Sequence, residues 1–299
     1  MNIFDCFMYC GEDMLLDIRL NVLNKYVKKF IITEANYKHN GSKKKLSFSI
    51  KKFTKFKNKI IYIPIKNQPP NISKINKRDS EDLKGEKLIL NGWARDKYQR
   101  DLLKNGIQEA KDNDLIFISD VDEIPNLENF KKSDYENKII IFDQKMIYYK
   151  LNLYFKGFSW YGTKACQKKL LLSPNWLRDI KNKNYSKLRI DTIFSKKKYS
   201  NISFISNGGW HFTNIKSPLD VQKKLASYAH HHDFQESGLK IKDVKKIMKE
   251  KKVIYNHSLD ESAPAKKKWG GFKKLSKVNF KELPLYVSEN RVKFKKWLD

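Results

Sequence analysis

The sequence predicts a single α/β domain with a central, mostly parallel sheet flanked by helices and an appended C-terminal helical part. Three observations indicate this fold class. Strand and helix patterns alternate along the first half, an apolar run at 115–118 ends in acidic residues, and the pattern becomes irregular beyond Leu177. Neither an internal repeat nor a linker divides the 299 residues. We therefore expect one domain.

The first elements form a β-α-β unit. The stretches NIFDCFMYC and KFIITEAN are short, apolar and typical of buried strands. The segment between them has apolar side chains at helical spacing, namely Met14, Leu15, Ile18, Val22 and Tyr26. Two strands joined by a helix in this way are expected to be parallel.

The next elements are expected to be a helix, a strand and a long loop. KKKLSFSIKKFTKFK has apolar residues at the spacing of an amphipathic helix, and KIIYIPI follows it as a strand. From about Lys66 to about Asn91 the sequence is polar with little periodicity, which is typical of a functional loop. A helix is then expected from about Trp93.

The second half contains weaker signals. KIIIFDQKMIYYKLN and ACQKKLLLS are expected to contain further strands, and SPLDVQKKLASYAHHHDF is expected to be helical. A basic tail with helical patterning completes the chain.

The buried strand in the middle of the chain ends in acidic residues. Residues 114–125 read DLIFISDVDEIP, so that large apolar residues precede Asp120, Asp122 and Glu123. Carboxylates this close repel one another unless a cation or a proton offsets their charge. On an extended backbone Asp120 and Asp122 point to one face, where two oxygens suit Mg²⁺ or Mn²⁺. The alternative is a solvated strand end at which Asp122 or Glu123 starts a turn before Pro125.

The charge of the chain is large, positive and dispersed. The formal net charge is +29, and only seven of the 62 basic residues are Arg. Specific nucleic-acid recognition relies on Arg and on clustered basic faces, whereas these lysines are spread over every segment. We therefore expect no specific nucleic-acid partner. A weak, salt-sensitive attraction to polyanions or to an anionic membrane surface stays open.

Cysteine usage and hydropathy indicate a cytoplasmic protein. The three cysteines at positions 6, 10 and 166 form neither a disulfide framework nor a zinc-ligand pattern. The N-terminal stretch has no basic leader followed by an apolar core, and nowhere does a run of about eighteen apolar residues occur. We therefore expect the protein to be cytoplasmic, either free or peripheral to a membrane.

Six sequence stretches carry a family resemblance. They are FDCFMYCGEDMLLDIRLNVL, FIITEANYKHNG, WARDKYQRDLL, ISDVDEIP, GGWHF and KLASYAHHHD, and the resemblance extends from about Ile3 to about Trp297. In this order they resemble glycosyltransferase family 17, the family of the β-1,4-mannosyl-glycoprotein β-1,4-N-acetylglucosaminyltransferases. A lone D-x-D motif would be weak, whereas six ordered stretches over nearly the whole chain are specific.

The resemblance implies a GT-A-like fold and transfer of a sugar from a nucleotide-sugar donor to a glycan or glycoconjugate acceptor. It further implies UDP-N-acetylglucosamine as the donor and inversion at the anomeric carbon. Within the single domain, residues 1–125 are expected to bind the nucleotide sugar, residues 126–215 to form the acceptor-side half, and residues 216–299 to form the C-terminal helical part. Mn²⁺ or Mg²⁺ is the expected cofactor, because a metal bridging the diphosphate stabilises the leaving group.

The acidic residues and His211 are the predicted catalytic and metal-binding set. Asp122 is assigned as the direct metal ligand, and Asp120 as a partner of the ribose or of a metal-bound water. Glu123 can assist either. His211 follows two glycines in GGWHF, which let the backbone approach a ligand closely. Its imidazole can complete a Mn²⁺ site begun by Asp122, or it can hydrogen-bond the diphosphate.

The predicted donor contacts come from a strand end and from the helix before the acidic strand. Arg95 and Arg100 are about 140° apart around a helix, so that one can contact phosphate while the other braces the acidic residues. Gln99 shares a face with Arg95. Glu34, at a strand end, is a predicted donor or acceptor contact. The alternatives are an ordinary surface ion pair for the arginines and a cap for Glu34.

Other site assignments stay open at the level of sequence. An inverting transferase needs a general base, for which the sequence offers three equal candidates: Asp143, Asp179 and Asp191. Three aromatic residues can stack on sugar rings or pack in the core: Trp160, Tyr161 and Trp210. His230, in YAHHHD, is expected to face the core.

Two other function classes compete with a transferase. A haloacid-dehalogenase-type phosphatase also has an aspartyl pair at a strand end, but expects it near the start of the chain and expects Thr or Val where Ile124 stands. A basic nucleic-acid-binding protein predicts clustered Arg with aromatic platforms, neither of which is evident.

Overall fold

Two β-sheets organise the computed structural model, which describes residues 1–186, 188–227, 231–259 and 263–299. The strands in chain order are β1 (Ile3–Met8), β2 (Lys29–Ala35), β3 (Ile60–Ile65), β4 (Leu115–Asp120), β5 (Glu123–Pro125), β6 (Ile139–Phe142), β7 (Gln144–Tyr148), β8 (Leu153–Trp160), β9 (Lys164–Gln167), β10 (Ile202–Ile205), β11 (Gly209–Thr213) and β12 (Ser276–Lys277). The first sheet has the spatial order β10-β6-β9-β4-β1-β2-β3, and the second has the order β12-β8-β7-β11-β5.

Helices lie between and around the strands. The α-helices of the described residues are α1 (Asp13–Leu23), α2 (Glu81–Asp101), α3 (Pro174–Asp179), α4 (Ile190–Ile193), α5 (Pro218–Leu225), α6 (His231–Glu236), α7 (Ile241–Lys249), α8 (Ala265–Lys268) and α9 (Leu285–Glu289). Short 3₁₀ helices cover Ile50–Phe56, Leu102–Gly106, Lys132–Tyr135, Lys168–Leu170, Phe280–Glu282 and Lys295–Trp297. Within the described ranges, no helix combines the length and apolar character needed to cross a bilayer.

The first sheet grows from the predicted β-α-β unit. β1 pairs in parallel with β2 and β4, and β2 pairs in parallel with β3. Only β9, between β4 and β6, runs antiparallel to its neighbours among the described strands of this sheet. Alternate residues face two apolar cores, so that Phe117 contributes to one and Ile118 to the other. The predicted α/β class with a mostly parallel central sheet is confirmed.

The chain passes repeatedly between the two sheets, and two of these passages are very short. Val121 and Asp122 alone separate β4 from β5, and Asp143 alone separates β6 from β7. At the first passage the carboxyl end of β4 lies beside that of β1, its parallel neighbour. Ligand sites of α/β proteins lie at such strand ends, so the passage places the acidic residues where a ligand is expected.

The amphipathic helix predicted over residues 43–57 was wrong. The backbone N–H groups of Ser47 and Phe48 donate to the Glu34 carboxylate at 2.9 and 3.1 Å, which withdraws them from helical hydrogen bonding. A 3₁₀ helix follows, and the backbone of Phe53 inside it is not helical. A buried acid thus overrides the local apolar spacing.

The helix expected from about Trp93 begins twelve residues earlier, at Glu81. Ser80 caps it by accepting a hydrogen bond from the N–H of Leu83 at 3.2 Å, and acidic residues in the first turn suit the helix dipole. The long loop expected over 66–91 is correspondingly shorter. Polar residues dominate the first turns of this helix, so the spacing of apolar residues did not indicate a helix there.

The C-terminal part contains short helices connected to the second sheet. The five helices α5 to α9 are between four and nine residues long. Strand β12 pairs antiparallel with β8, and Val244 and Trp269 pack in one apolar core with Tyr148 of β7. His230 lies outside the described residues. The C-terminal part therefore shares a core with the second sheet.

Candidate functional site

A cleft of about 1190 Å³ lies between the two sheets. Its lining includes residues at the ends of β1, β2 and β4, side chains of β7, β8 and β11, and parts of α2 and of the segment 254–269. Small-molecule sites commonly have volumes of about 300–1,000 Å³. The cleft is therefore large enough for two ligands of nucleotide and sugar size.

Asp120 ends β4 and is paired with two arginines. Its Oδ1 lies 3.0 Å from Nη1 of Arg100, and its Oδ2 lies 3.2 Å from Nη2 of Arg178. Burial raises the pKa of Asp120, but the two guanidinium groups outweigh burial and hold this pKa well below its usual range. The carboxylate is ionised at neutral pH, and 36% of its side-chain surface remains exposed to the cleft.

Asp122 faces a histidine and a lysine. Its Oδ1 lies 3.6 Å from Nε2 of His211, and its Oδ2 lies 3.9 Å from Nζ of Lys224. On the other side of the imidazole, Nδ1 is 2.9 Å from the sulfur of Met146, and Trp160 stacks on the ring at 4.6 Å between centroids. Burial raises the pKa of Asp122, whereas His211 and Lys224 lower it below its usual value. Asp122 is thus an ionised acid held in a confined position.

Glu123 stands behind the cleft wall with its side chain fully buried. Its two oxygens accept hydrogen bonds from Arg178 at 2.6 and 2.7 Å, and one of them also accepts from the indole N–H of Trp160 at 2.7 Å. The backbone N–H of Asp120 donates to the other oxygen at 2.8 Å. The carboxylate predicted to be catalytic is therefore saturated by protein donors, and we assign it to holding Arg178 and Trp160 in place.

Arg19 supports the acidic residues from beneath. Its side chain is fully buried in α1 and forms two hydrogen bonds with Asp5 of β1, at 2.8 and 2.5 Å. The same guanidinium donates to the backbone carbonyls of Asp120 and Glu123, at 3.0 and 2.7 Å, and to the hydroxyl of Ser119 at 2.6 Å. One side chain thus connects β1, the end of β4 and the start of β5.

His211 reaches Asp122 because β11 lies close to β5. His211 is opposite Glu123 in the antiparallel pairing of these strands. Gly209 has φ +131°, and a Cβ there would lie 2.2 Å from the carbonyl oxygen of Ile124. Gly209 therefore lets the backbone of β11 come close to strand β5. The sequence analysis had expected the glycines to let the backbone come close to a ligand.

The β2 end of the cleft contains polar atoms without partners. The hydroxyl of Tyr37, Nδ1 of His39 and Nε of Arg100 are buried and have no hydrogen-bond partner among the described residues. All three side chains line the cleft, as does Gln99, whose amide donates to the carbonyl of Thr33. We call this region, defined by Tyr37, His39, Gln99, Arg100 and Asp120, the charged end. Buried polar groups nearly always have partners, so these atoms mark a position where a ligand or water can bind.

Glu34 and Arg95 hold the loop that follows β2. Glu34 accepts hydrogen bonds from Lys44 at 2.6 Å and from Tyr62 at 2.9 Å, besides the backbone groups already described. Arg95 donates to the carbonyl of His39 at 2.9 Å and to the side chain of Gln68 at 2.7 Å. Neither side chain lines the cleft. Both predicted ligand contacts therefore act, in this structure, as anchors of the cleft wall.

Asp122 and His211 are the two predicted metal ligands that the structure brings together. In the described parts of the chain, no group of three or more His, Cys, Asp or Glu side chains is arranged to hold a metal on its own. The oxygen of Asp122 and the nitrogen of His211 are 3.6 Å apart, and two neighbouring ligands of one octahedral ion lie about 3 Å apart. Asp120, the third predicted ligand, has both oxygens paired with arginines.

The candidate general bases and the candidate sugar-stacking aromatic residues differ in whether they line the cleft. Of the three candidate bases, only Asp179 lines the cleft, where it accepts a hydrogen bond from Asn175 at 3.0 Å. Asp191 pairs with Arg189 and Lys198 outside the cleft. Of the three aromatic candidates, Trp160 lines the cleft, whereas Tyr161 and Trp210 do not.

The sequence analysis missed several side chains that the structure places at the site, namely Tyr37, His39, Arg19, Arg178 and Lys224. Arg19 had a usable signal, because it is a charged residue on a helix face that is otherwise buried, next to Ile18 and Leu20. Arg178 lies in the six-residue helix α3, where no pattern marks it. Only the folded chain places it against the acidic residues.

The chain matches the family model described as glycosyltransferase family 17 over residues 1–299. A search of curated proteins found no match. The match covers the whole chain, and it includes the acidic residues, His211 and α2, which meet at the cleft. The resemblance carried by the six stretches is confirmed, and the function is enzymatic: the chain belongs to glycosyltransferase family 17 and is a glycosyltransferase.

Proposed function

We propose that the enzyme transfers N-acetylglucosamine from UDP-N-acetylglucosamine to a glycan hydroxyl, with a divalent metal and with inversion at the anomeric carbon. The observation that carries this proposal is the charged end, where three unpartnered polar atoms lie beside an ionised acid at the carboxyl ends of parallel strands. A nucleotide supplies the oxygen acceptors and donors that these atoms lack.

The donor would extend from the charged end towards Asp122. Tyr37 and His39 are positioned for the nucleoside, and Arg100 for the ribose or a phosphate. Lys224, on α5, has its Nζ 3.9 Å from the Asp122 carboxylate. A diphosphate in this position would meet a concentration of positive charge, which stabilises it as a leaving group.

A metal would be held by Asp122 and His211. Mg²⁺ commonly takes one or two protein ligands and completes its shell with water and substrate phosphates, and Mn²⁺ accepts a nitrogen among oxygens. When bound, such an ion neutralises charge that develops on the leaving diphosphate. His211 is kept in orientation by Met146 and Trp160, so the pair is preorganised.

Asp179 is our assignment for the general base. In an inverting transfer the acceptor oxygen bonds to the anomeric carbon, the bond to the diphosphate oxygen breaks, and the hydroxyl proton passes to a base. Asp179 is the candidate whose carboxylate lines the cleft. Asn175 holds it from one turn earlier in α3.

Titration of the purified protein with UDP, UMP and single-stranded DNA, each with Mn²⁺ and with excess EDTA, tests the donor site. We expect UDP to bind more tightly with Mn²⁺ than with EDTA, and more tightly than UMP, because the diphosphate would complete the metal shell. The variant Asp122→Asn should bind UDP with the same affinity in Mn²⁺ as in EDTA, because it would lose the gain in affinity that the metal supplies. Asp191→Asn, whose acid forms ion pairs outside the cleft, is the matched control.

The titration also separates the rival classes. Family membership already decides against the phosphatase. Equal UDP binding with and without metal, together with full turnover in EDTA, would contradict a metal-dependent mechanism. Tight, sequence-selective DNA binding that survives physiological salt would support a nucleic-acid function instead, whereas dispersed lysines predict weak binding that falls steeply with salt.

A further inference from the structure

The end of the cleft away from the parallel strands is aromatic. Five side chains that line the cleft define this aromatic end: Tyr148, Trp160, Tyr255, His257 and Trp269. The imidazole of His257 is central, with ring centroids of Tyr255 at 5.1 Å, Tyr148 at 6.1 Å and Trp160 at 6.5 Å. Trp269 lies 4.9 Å from Tyr255. Rings from β7, β8 and the C-terminal part thus form one wall.

Polar atoms are set into this aromatic wall. The hydroxyl of Tyr148 lies 2.5 Å from Nε2 of His257. The indole Nε1 of Trp269 is buried and has no hydrogen-bond partner among the described residues, and the whole side chain is only 5% exposed. A buried N–H without an acceptor is rare in folded proteins. Trp269 therefore points to a ligand oxygen at this end.

Apolar packing alone does not account for the wall. A closed core would leave neither an unpartnered indole N–H nor aromatic side chains along an open cleft. Burial lowers the pKa of His257 to about 4, with His211 contributing, so that its imidazole is neutral at physiological pH. The five side chains then carry no formal charge, in contrast to the charged end.

An uncharged sugar ring matches this wall. The C–H faces of a pyranose are apolar and can lie on aromatic rings, while its edge presents hydroxyls that accept from an indole N–H or donate to a ring nitrogen. The position proposed for the nucleobase is elsewhere, at the unpartnered atoms of the charged end. A phosphate or carboxylate would find no cation among the five side chains.

Trp160 places the aromatic end next to the predicted reaction centre. Its ring stacks on His211 at 4.6 Å and also contacts the aromatic cluster through His257. Its indole N–H donates to the buried Glu123, which fixes the ring. A ligand at the aromatic end would therefore lie beside the Asp122 and His211 pair.

We propose that the aromatic end is the acceptor subsite and that it takes a neutral pyranose, stacked on Tyr255 and hydrogen-bonded by Trp269. The proposal rests on the donor site proposed above. It makes two residues of the C-terminal part determinants of acceptor specificity, and it assigns that part a direct role in substrate recognition. An acceptor whose reacting sugar carries a carboxylate or phosphate is excluded by it.

The test uses methyl glycosides as probes. Binding of methyl pyranosides of glucose, galactose, mannose and N-acetylglucosamine, and of methyl glucuronide, is followed by saturation-transfer NMR titration in the presence of UDP and Mn²⁺. The variants are Tyr255→Ala, which removes a stacking ring, and Trp269→Phe, which keeps a ring but removes the N–H. Tyr161→Ala is the matched control, because Tyr161 adjoins Trp160 in sequence but does not line the cleft.

We expect at least one neutral glycoside to bind, and Tyr255→Ala and Trp269→Phe each to weaken it about three- to tenfold, the range that one aromatic contact supplies. UDP affinity should stay the same in both variants, and Tyr161→Ala should match the wild type. The proposal is overturned if UDP binds while no neutral glycoside does, if only the glucuronide binds, or if both variants bind the glycoside normally. Failure of UDP to bind the wild type would instead overturn the donor site.

Discussion

The two ends of the cleft differ in how the chain builds them. The charged end is assembled around adjacent parallel strands, where β1, β2 and β4 end together. The aromatic end combines β7 and β8 with residues more than one hundred positions away, since Tyr148 and His257 are 109 positions apart. The first end is rich in ion pairs, whereas the second end is held by ring contacts. The charged side chains thus lie together because neighbouring strands end together. The aromatic side chains lie together because distant parts of the chain pack against each other.

The contrast between the charged end and the aromatic end indicates which kind of site can be recognised in a sequence. A strand that ends in acids is a local pattern, and a rule about parallel sheets connects it to a ligand position. No comparable local rule connects Tyr148 with Tyr255 or Trp269, because their approach depends on the path of the C-terminal part. The acid and the arginine of the charged end are therefore visible in the sequence, whereas its Tyr37 and His39, and the whole aromatic end, require the structure.

The largest expected effect concerns Arg19, which supports the acidic residues under the charged end. Arg19→Met removes a fully buried guanidinium and leaves the buried Asp5 carboxylate without its ion-pair partner. Breaking a buried pair in this way costs about 3–5 kcal/mol, so we expect the free energy of unfolding to fall by that amount. Urea denaturation measures it. The surface variant Arg189→Met, which breaks an exposed pair, should change the same free energy by less than about 1 kcal/mol. Equal effects of the two variants would contradict the structural role of Arg19.

Residues selected together from the sequence lie together in the structure where chemistry and local geometry coincide. The acids and His211 were selected as one site, and the structure brings Asp122 and His211 within 3.6 Å. Glu34 and Arg95 were selected as ligand contacts, yet both are occupied by protein groups. A sequence shows that a polar residue ends a strand. It does not show whether a ligand or another protein group forms hydrogen bonds with that side chain.

The second prediction concerns Asp122, which lies next to the charged end, and leaves the fold unchanged. Asp122→Asn keeps the size of the side chain and removes the negative charge, so a metal bound there would lose its carboxylate ligand. We expect turnover of UDP-N-acetylglucosamine to fall about 10²- to 10³-fold, the scale of losing one strong electrostatic contact in the transition state. Product formation is measured at saturating Mn²⁺, with thermal denaturation to verify folding. Normal turnover by this variant would remove Asp122 from the mechanism.

The third prediction concerns His211, which lies between the two ends. His211→Ala should lower turnover about a hundredfold, because a metal would keep only Asp122 as a protein ligand. Excess Mn²⁺ should restore part of the activity if the imidazole binds the metal. A loss that no concentration of Mn²⁺ alleviates would instead indicate that His211 mainly supports Trp160. Near-normal turnover at limiting metal would make the histidine structural.

The smallest expected effect compares two histidines, one at each end, through the pH dependence of stability. The unfolded chain protonates an imidazole near pH 6.5, whereas burial lowers the pKa of His257 to about 4 in the folded protein. Between these values the unfolded state binds more protons, so the stability due to a neutral His257 is fully present above pH 6.5 and is lost as the pH falls towards 4. Burial also lowers the pKa of His39; the carboxylates of Asp96 and Asp120 raise it, whereas Arg100 and Arg95 lower it further. We therefore expect both His257→Gln and His39→Gln to reduce the loss of melting temperature on acidification from pH 6.5 to 4. Thermal denaturation across this pH range measures both slopes, and a slope for His257→Gln equal to that of the wild type would contradict a buried, neutral His257.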